Sequence, residues 1–248
     1  MRFRSAELFK SGSPGNRSAL FTTAQEALAF ARQGLLLRHD TLEPVVPRGV
    51  ARGDDVVVFL HGLFATAGVL RPLRAAITRH ASLHPAAITY RPGPGVPTIA
   101  DQLRALTAQI PEGTRIHLVG HSLGGIVVRW YALETGDRRV VQTISLASPF
   151  GGVRRAAWLG VDTGRDLHPE SAVLRRILLH PRAEDIPHLS IIAGADTIVD
   201  SPVSHALPGG DVRVMNGRGH NALLFDEEVA RVIERRILER RRLCQADP

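Results

Sequence analysis

The 248-residue sequence holds one cysteine, Cys244, and one lysine, Lys10. A single cysteine excludes an internal disulfide and any cysteine-built zinc site. No stretch approaches the ~18 uninterrupted apolar residues that a membrane-crossing helix needs. The charged start MRFRSAELFKSGSPGNRS is not followed by the apolar segment of a secretory signal, so the expected compartment is the cytoplasm. Internal repeats and low-complexity tracts are also missing.

What is there is ordinary globular composition, 44% apolar and 22% charged, with length enough for one large α/β core. The formal net charge is +7, and with a single lysine nearly all of the 31 basic residues are arginine. A basic excess raises a polyanionic partner, nucleic acid or a membrane surface. The arginines are spread along the chain without a nucleic-acid-binding motif, so no nucleic acid partner is expected. One dense cluster remains: Arg235, Arg236, Arg240, Arg241 and Arg242 end a predicted helix whose other face carries Val229, Ile233 and Ile237. Core packing is the commoner role for such a helix, and peripheral contact with a membrane is the alternative.

Residues 1–50 read as an N-terminal extension with one amphipathic helix, and 51–248 as the main domain. Thr23-Ala24-Gln25-Glu26 has capping-box spacing and predicts a helix over 23–37. Pro44 and Pro47 break regular structure before Gly53. Strands and helices then alternate. Strands are expected at 56–60, 86–90, 115–119, 140–146, 189–193 and 212–215. Helices are expected at 66–80, 98–110, 122–134, 170–179 and from Asp226 to 242. The run Val56–Leu60 is apolar throughout, as in a strand buried on both faces. The pattern predicts an α/β fold with a mostly parallel sheet of six or more strands, helices on both faces and no large cap domain. In such sheets, sites form at the carboxyl ends of strands.

After the third predicted strand comes Gly120-His121-Ser122-Leu123-Gly124-Gly125. The Gly-x-Ser-x-Gly spacing turns a strand sharply into a helix. It holds the serine in strained backbone geometry, and side chains two residues to either side would collide. Chance yields this pattern about 0.1 times in a chain of this composition. Its position between a strand and a helix makes Ser122 the candidate nucleophile. An oxyanion hole needs two backbone N–H groups. One is that of Leu123, and the other belongs to the loop His61-Gly62-Leu63-Phe64, with Leu63 the first choice and Phe64 the second. His61 precedes the serine and reads as a loop brace.

In this arrangement the acid and then the histidine follow the serine. Of the later histidines, His220 lies in a glycine-rich loop after the last predicted strand and is the candidate base, with His205 the alternative. Asp196 closes the fifth predicted strand and is the candidate acid, with Asp200 the alternative.

Together VVVFLHG (56–62), GHSLGG (120–125), TISLASPFGG (143–152), GADTIVD (194–200) and GRGHNALL (217–224) resemble the α/β-hydrolase superfamily, and within it small bacterial lipases and esterases. The resemblance spans roughly residues 54–240. It implies hydrolysis of a small-molecule or lipid carboxylic ester through a Ser-His-Asp triad, with neither metal nor organic cofactor. It also implies that the turn at 148–152 borders the acyl pocket. A thioesterase, amidase or acyltransferase would use the same motifs, and a non-catalytic binding protein on this fold would be expected to lack a triad member. Acyl length, alcohol and oligomeric state are not written in the motifs.

Overall fold

The computed structural model describes residues 19–80, 82–199 and 201–246. Helix α1 (Ala19–Leu36) precedes a repeating strand-helix pattern. Its later elements are β1 (Asp55–Leu60), α2 (Arg71–Ile77), β2 (Leu83–Ile88), α3 (Val96–Thr107), β3 (Arg115–His121) and α4 (Leu123–Thr135). These are followed by β4 (Val140–Leu146), α5 (Asp162–Asp166), α6 (Ala172–Leu178), β5 (His188–Ala193), β6 (Asp211–Met215) and α7 (Glu227–Ala246). The six strands form one sheet in the order β2-β1-β3-β4-β5-β6, with every neighbouring pair parallel.

The continuous apolar run of β1 serves both faces of that sheet. Val56, Val58 and Leu60 pack with α3, α4 and α6. Val57 and Phe59 pack with α2 and α7. Side chains alternate across a strand, so a strand covered on both sides has no polar position to spare. Each such side chain contributes about 1.5–3 kcal/mol on leaving water.

Several boundaries differ from expectation, each for a local reason. The expected helix over 66–80 splits into a 3-10 turn, Ala67–Leu70, and α2, because Pro72 falls in the first turn of α2. The second strand is shifted from 86–90 to 83–88. Its continuation is diverted when Thr89 accepts the Ala67 N–H and Tyr90 N–H bonds the His61 ring. Helix α3 begins at Val96 rather than 98, since Pro97 fits a first helical turn and the Asp166 carboxylate accepts the Val96 N–H at 2.7 Å. Helix α1 already includes Ala19, which places Thr23 inside the helix instead of at its cap.

Helix α7 extends to Ala246, and Asp226 caps it by accepting the N–H groups of Glu228 and Val229. Its apolar residues Val229, Ile233 and Ile237 are fully buried in the core, so that face cannot meet a membrane. Three arginines of the cluster are engaged within the fold. Arg236 pairs with Asp211 at 2.6 Å, Arg240 donates to Val141 O, and Arg241 lies 3.2 Å from Asp55.

Candidate active site

The strand ends of β1, β3 and β5 converge with the 216–221 loop on a cavity of about 460 Å³. Ser122 stands between β3 and α4 with φ +52° and ψ −122°, a strained conformation for a residue with a Cβ. The flanking glycines are required by contact. A Cβ on Gly120 would meet the Gly124 backbone, and one on Gly124 would meet Leu60 O, both well under 3.0 Å. Gly62 runs alongside, its Cβ direction only 3.1 Å from Ser122 Cβ. The hydroxyl therefore projects from a turn that no larger residue could make.

The loop after β1 is braced from beneath. The His61 ring stacks on Tyr90 with centroids 4.1 Å apart. Its Nδ1–H donates to Gly62 O at 2.7 Å while Nε2 accepts the Tyr90 N–H. Tyr90 OH in turn donates to His61 O at 2.6 Å. Burial lowers the His61 pKa to about 4, so the ring is neutral near pH 7 and suited to this donor-acceptor pairing. The braced loop presents Leu63 and Phe64 to the cavity, and Leu123 follows Ser122 at the start of α4. Among the described residues neither the Leu63 N–H nor the Leu123 N–H has an acceptor.

Asp196 and His220 meet at the far wall. His220 Nδ1 lies 2.6 Å from Asp196 Oδ2, and both side chains are almost fully buried. The other carboxylate oxygen accepts the N–H groups of Ile198 and Val199 at 2.7 and 3.0 Å. Burial pushes the Asp196 carboxyl up. The His220 bond and charge and the two N–H groups outweigh it and hold the carboxyl below its ordinary value. His220 and Ser122 line the same cavity, without a hydrogen bond between them. Such contacts commonly tighten only with substrate in place.

The other histidines after the serine stand elsewhere. His205 has its Nε2 3.3 Å from the same Oδ2, and it does not line the cavity. His188 is held in the sheet by Thr143 and Ser145. His180 pairs with Glu134, and His168 accepts the Glu170 N–H. Asp200 lies outside the described residues.

Sequence reasoning missed His121, whose Nε2–H donates to His220 O at 3.1 Å while its ring meets the His220 ring edge-on. Burial, with the nearby His220 charge, lowers its pKa to about 3. Its adjacency to Ser122 was visible, but the direction of its ring was not. Also missed was the partner of Glu26, which binds the 221–222 backbone.

A parallel sheet with a strained serine between strand and helix is matched at the level of sequence over residues 57–182. The chain belongs to the alpha/beta hydrolase family. The matched segment contains the Ser122 turn and ends before Asp196 and His220. No curated protein sequence matches the chain significantly. Among solved structures, the alpha/beta hydrolase fold recurs in a lipase of Bacillus licheniformis in its mature form. The two share 16% identity and a TM-score of 0.61, over 79% of this chain and 96% of that one. Est1E from Butyrivibrio proteoclasticus gives 17% identity and a TM-score of 0.57, over 79% and 92%. A monoacylglycerol lipase of Paleococcus ferrophilus gives 16% and 0.57, over 79% and 96%. At these identities the likeness is one of fold.

Proposed function

We propose that the protein hydrolyses carboxylic esters through a covalent acyl-enzyme. The observation that carries this reading is the buried Asp196–His220 pair at 2.6 Å, facing the cavity into which Ser122 projects. In this mechanism His220 Nε2 takes the Ser122 proton as Oγ attacks the ester carbonyl. The carbonyl electron pair moves onto oxygen, where the Leu63 and Leu123 N–H groups receive it. When the intermediate collapses, the alcohol leaves with the proton from His220. Water, deprotonated by the same ring, then attacks the acyl-enzyme and releases the acid and Ser122. Asp196 holds the ring with Nδ1 protonated and stabilises its cationic form. The catalytic unit is assigned to residues 51–248 and the extension to 1–50.

An apolar acyl group suits the cavity, whose walls include Phe30, Leu37, Leu63, Val153, Ala156 and Leu167. Pro149, in the turn after β4, also contributes. The lipase names among structurally similar proteins support an ester as the substrate class. The test is hydrolysis of p-nitrophenyl esters from acetyl to palmitoyl, alongside matched thioesters and amides, by the wild type and Ser122→Ala. Ester turnover that disappears with Ser122→Ala, together with loss of fluorophosphonate labelling, is expected. Faster turnover of thioesters or amides would reassign the substrate, and an active Ser122→Ala protein would overturn the mechanism.

A further inference from the structure

Helix α1 lies outside the segment matched to the family, yet it grips the residue that follows His220. Glu26 Oε1 accepts both the Asn221 N–H and the Asn221 Nδ2–H at 2.8 Å. Glu26 Oε2 accepts the Ala222 N–H at 3.1 Å. Two turns along the helix, Gln33 Nε2 donates to Asn221 Oδ1 at 2.8 Å. The carboxylate passes so close to the loop that a Cβ on Gly219 would collide with Glu26 Oε2. A side chain at 219 would therefore have to push the Glu26 carboxylate aside.

These contacts converge on one peptide group. The C=O of His220 accepts from His121 Nε2, and the N–H of Asn221 donates to Glu26. Both polar ends of the 220–221 peptide are therefore fixed, one from beside Ser122 and one from α1. With the preceding loop in place, holding that plane restrains ψ of His220 and, with it, the direction in which the imidazole leaves the backbone. Among the described residues the ring itself makes one hydrogen bond, to Asp196, and one edge-on contact, with His121. A catalytic group must be held within about half an ångström of its working position, and that precision comes from the partners of its neighbours.

We propose that α1 is a positioning element of the catalytic centre, in which Glu26 sets the orientation of His220 through the 220–221 peptide and Gln33 steadies the same residue through the Asn221 side chain. This rests on the reading of Ser122, His220 and Asp196 as a triad. Glu26 does not line the cavity, so its role separates from substrate binding.

The test measures kcat per active site, titrated with a fluorophosphonate, and KM for a short-chain p-nitrophenyl ester in the full chain. Thermal unfolding is followed on the same samples. Glu26→Ala is expected to lower kcat per titrated site by about 10–100-fold with KM changed less than about 3-fold. Glu26→Gln keeps one acceptor oxygen for Asn221 but turns an N–H toward the Ala222 N–H, so its kcat should fall between the two. A wild-type kcat per titrated site in Glu26→Ala would overturn the proposal. So would a loss of titratable sites with unchanged turnover in those that remain, which is the mark of a purely structural role. If Glu26→Ala does not fold, Glu26→Gln decides: reduced turnover per site supports the proposal, and wild-type turnover overturns it. Ser122→Ala run in parallel separates the two layers. An inactive Ser122→Ala with an unaffected Glu26→Ala removes only the role of α1, whereas an active Ser122→Ala removes the triad reading itself.

Discussion

His205 and His220 approach the same oxygen of Asp196, at 3.3 and 2.6 Å. Only His220 makes a hydrogen bond to it; neither ring nitrogen of His205 has a partner among the described residues. Burial lowers the His205 pKa to about 4, so it backs the acid as a neutral ring. His220→Ala should therefore cost at least ~1,000-fold in kcat. His205→Ala should cost less than about tenfold in kcat. It should lower stability by ~2 kcal/mol or more through the space it vacates in the core, read by urea unfolding. The reverse pattern of kcat losses would make His205 the base.

Asp196→Asn keeps the shape of the acid but allows the imidazole the wrong tautomer. The amide can present an N–H toward His220 Nδ1, and charge on the ring is no longer stabilised. Turnover should fall by ~10³–10⁴-fold with KM little changed, in a protein that unfolds near the wild-type temperature. Steady-state kinetics on one chromogenic ester is sufficient to check it.

Two glycines make opposite predictions. Gly124→Ala drives a Cβ into Leu60 O and should destabilise the protein by more than ~3 kcal/mol while abolishing probe labelling. Gly34 sits within α1 and lines the cavity, with nothing within 4 Å of its Cβ position. Gly34→Ala should stabilise by ~0.5–1 kcal/mol. Gly34→Leu should shift preference toward shorter acyl chains, measured as the ratio of butyryl to palmitoyl ester hydrolysis.

Acid should unfold the protein in two stages. His61, His121 and His205 have folded pKa values near 4, 3 and 4, against 6.5 as ordinary for histidine. Their unfolded forms take up protons first, so the stability they confer is complete above pH 6.5 and declines as pH falls toward 4, by up to ~3 kcal/mol for each. Asp55, held by His117, Arg115 and Arg241 against the cost of its burial, has its pKa lowered from 3.8 to about 2. Its contribution, ~1–2 kcal/mol, is retained above pH 3.8 and lost between there and pH 2. Urea midpoints measured from pH 8 to 3 should fall in the histidine range before the carboxylate range. A flat profile between pH 6.5 and 4 would contradict the buried neutral histidines.

The parts legible in the sequence are those governed by near neighbours. The apolar run 56–60 implies a strand covered twice, and β1 divides its side chains between two cores. The spacing of Gly120, Ser122 and Gly124 implies a forced turn, and Ser122 has a positive φ. Strand and helix ends were less legible wherever a distant group intervened. Asp166 draws α3 two residues earlier, and Thr89 and Tyr90 leave the line of β2 for partners in the 61–67 loop.

By itself, the sequence determined the parallel α/β architecture and the serine turn, because hydrophobic period and glycine sterics act over a few residues. Tertiary structure alone decided which side chains meet. Glu26 has the local spacing of a helix cap, but its carboxylate binds the N–H of Asn221, 195 residues away. Arginines that looked like a free surface cluster are drawn to Asp211, Asp55 and Val141 O. A carboxylate settles on whichever donors the folded chain brings within reach, and that choice depends on the packing of the whole sheet rather than on neighbours in sequence.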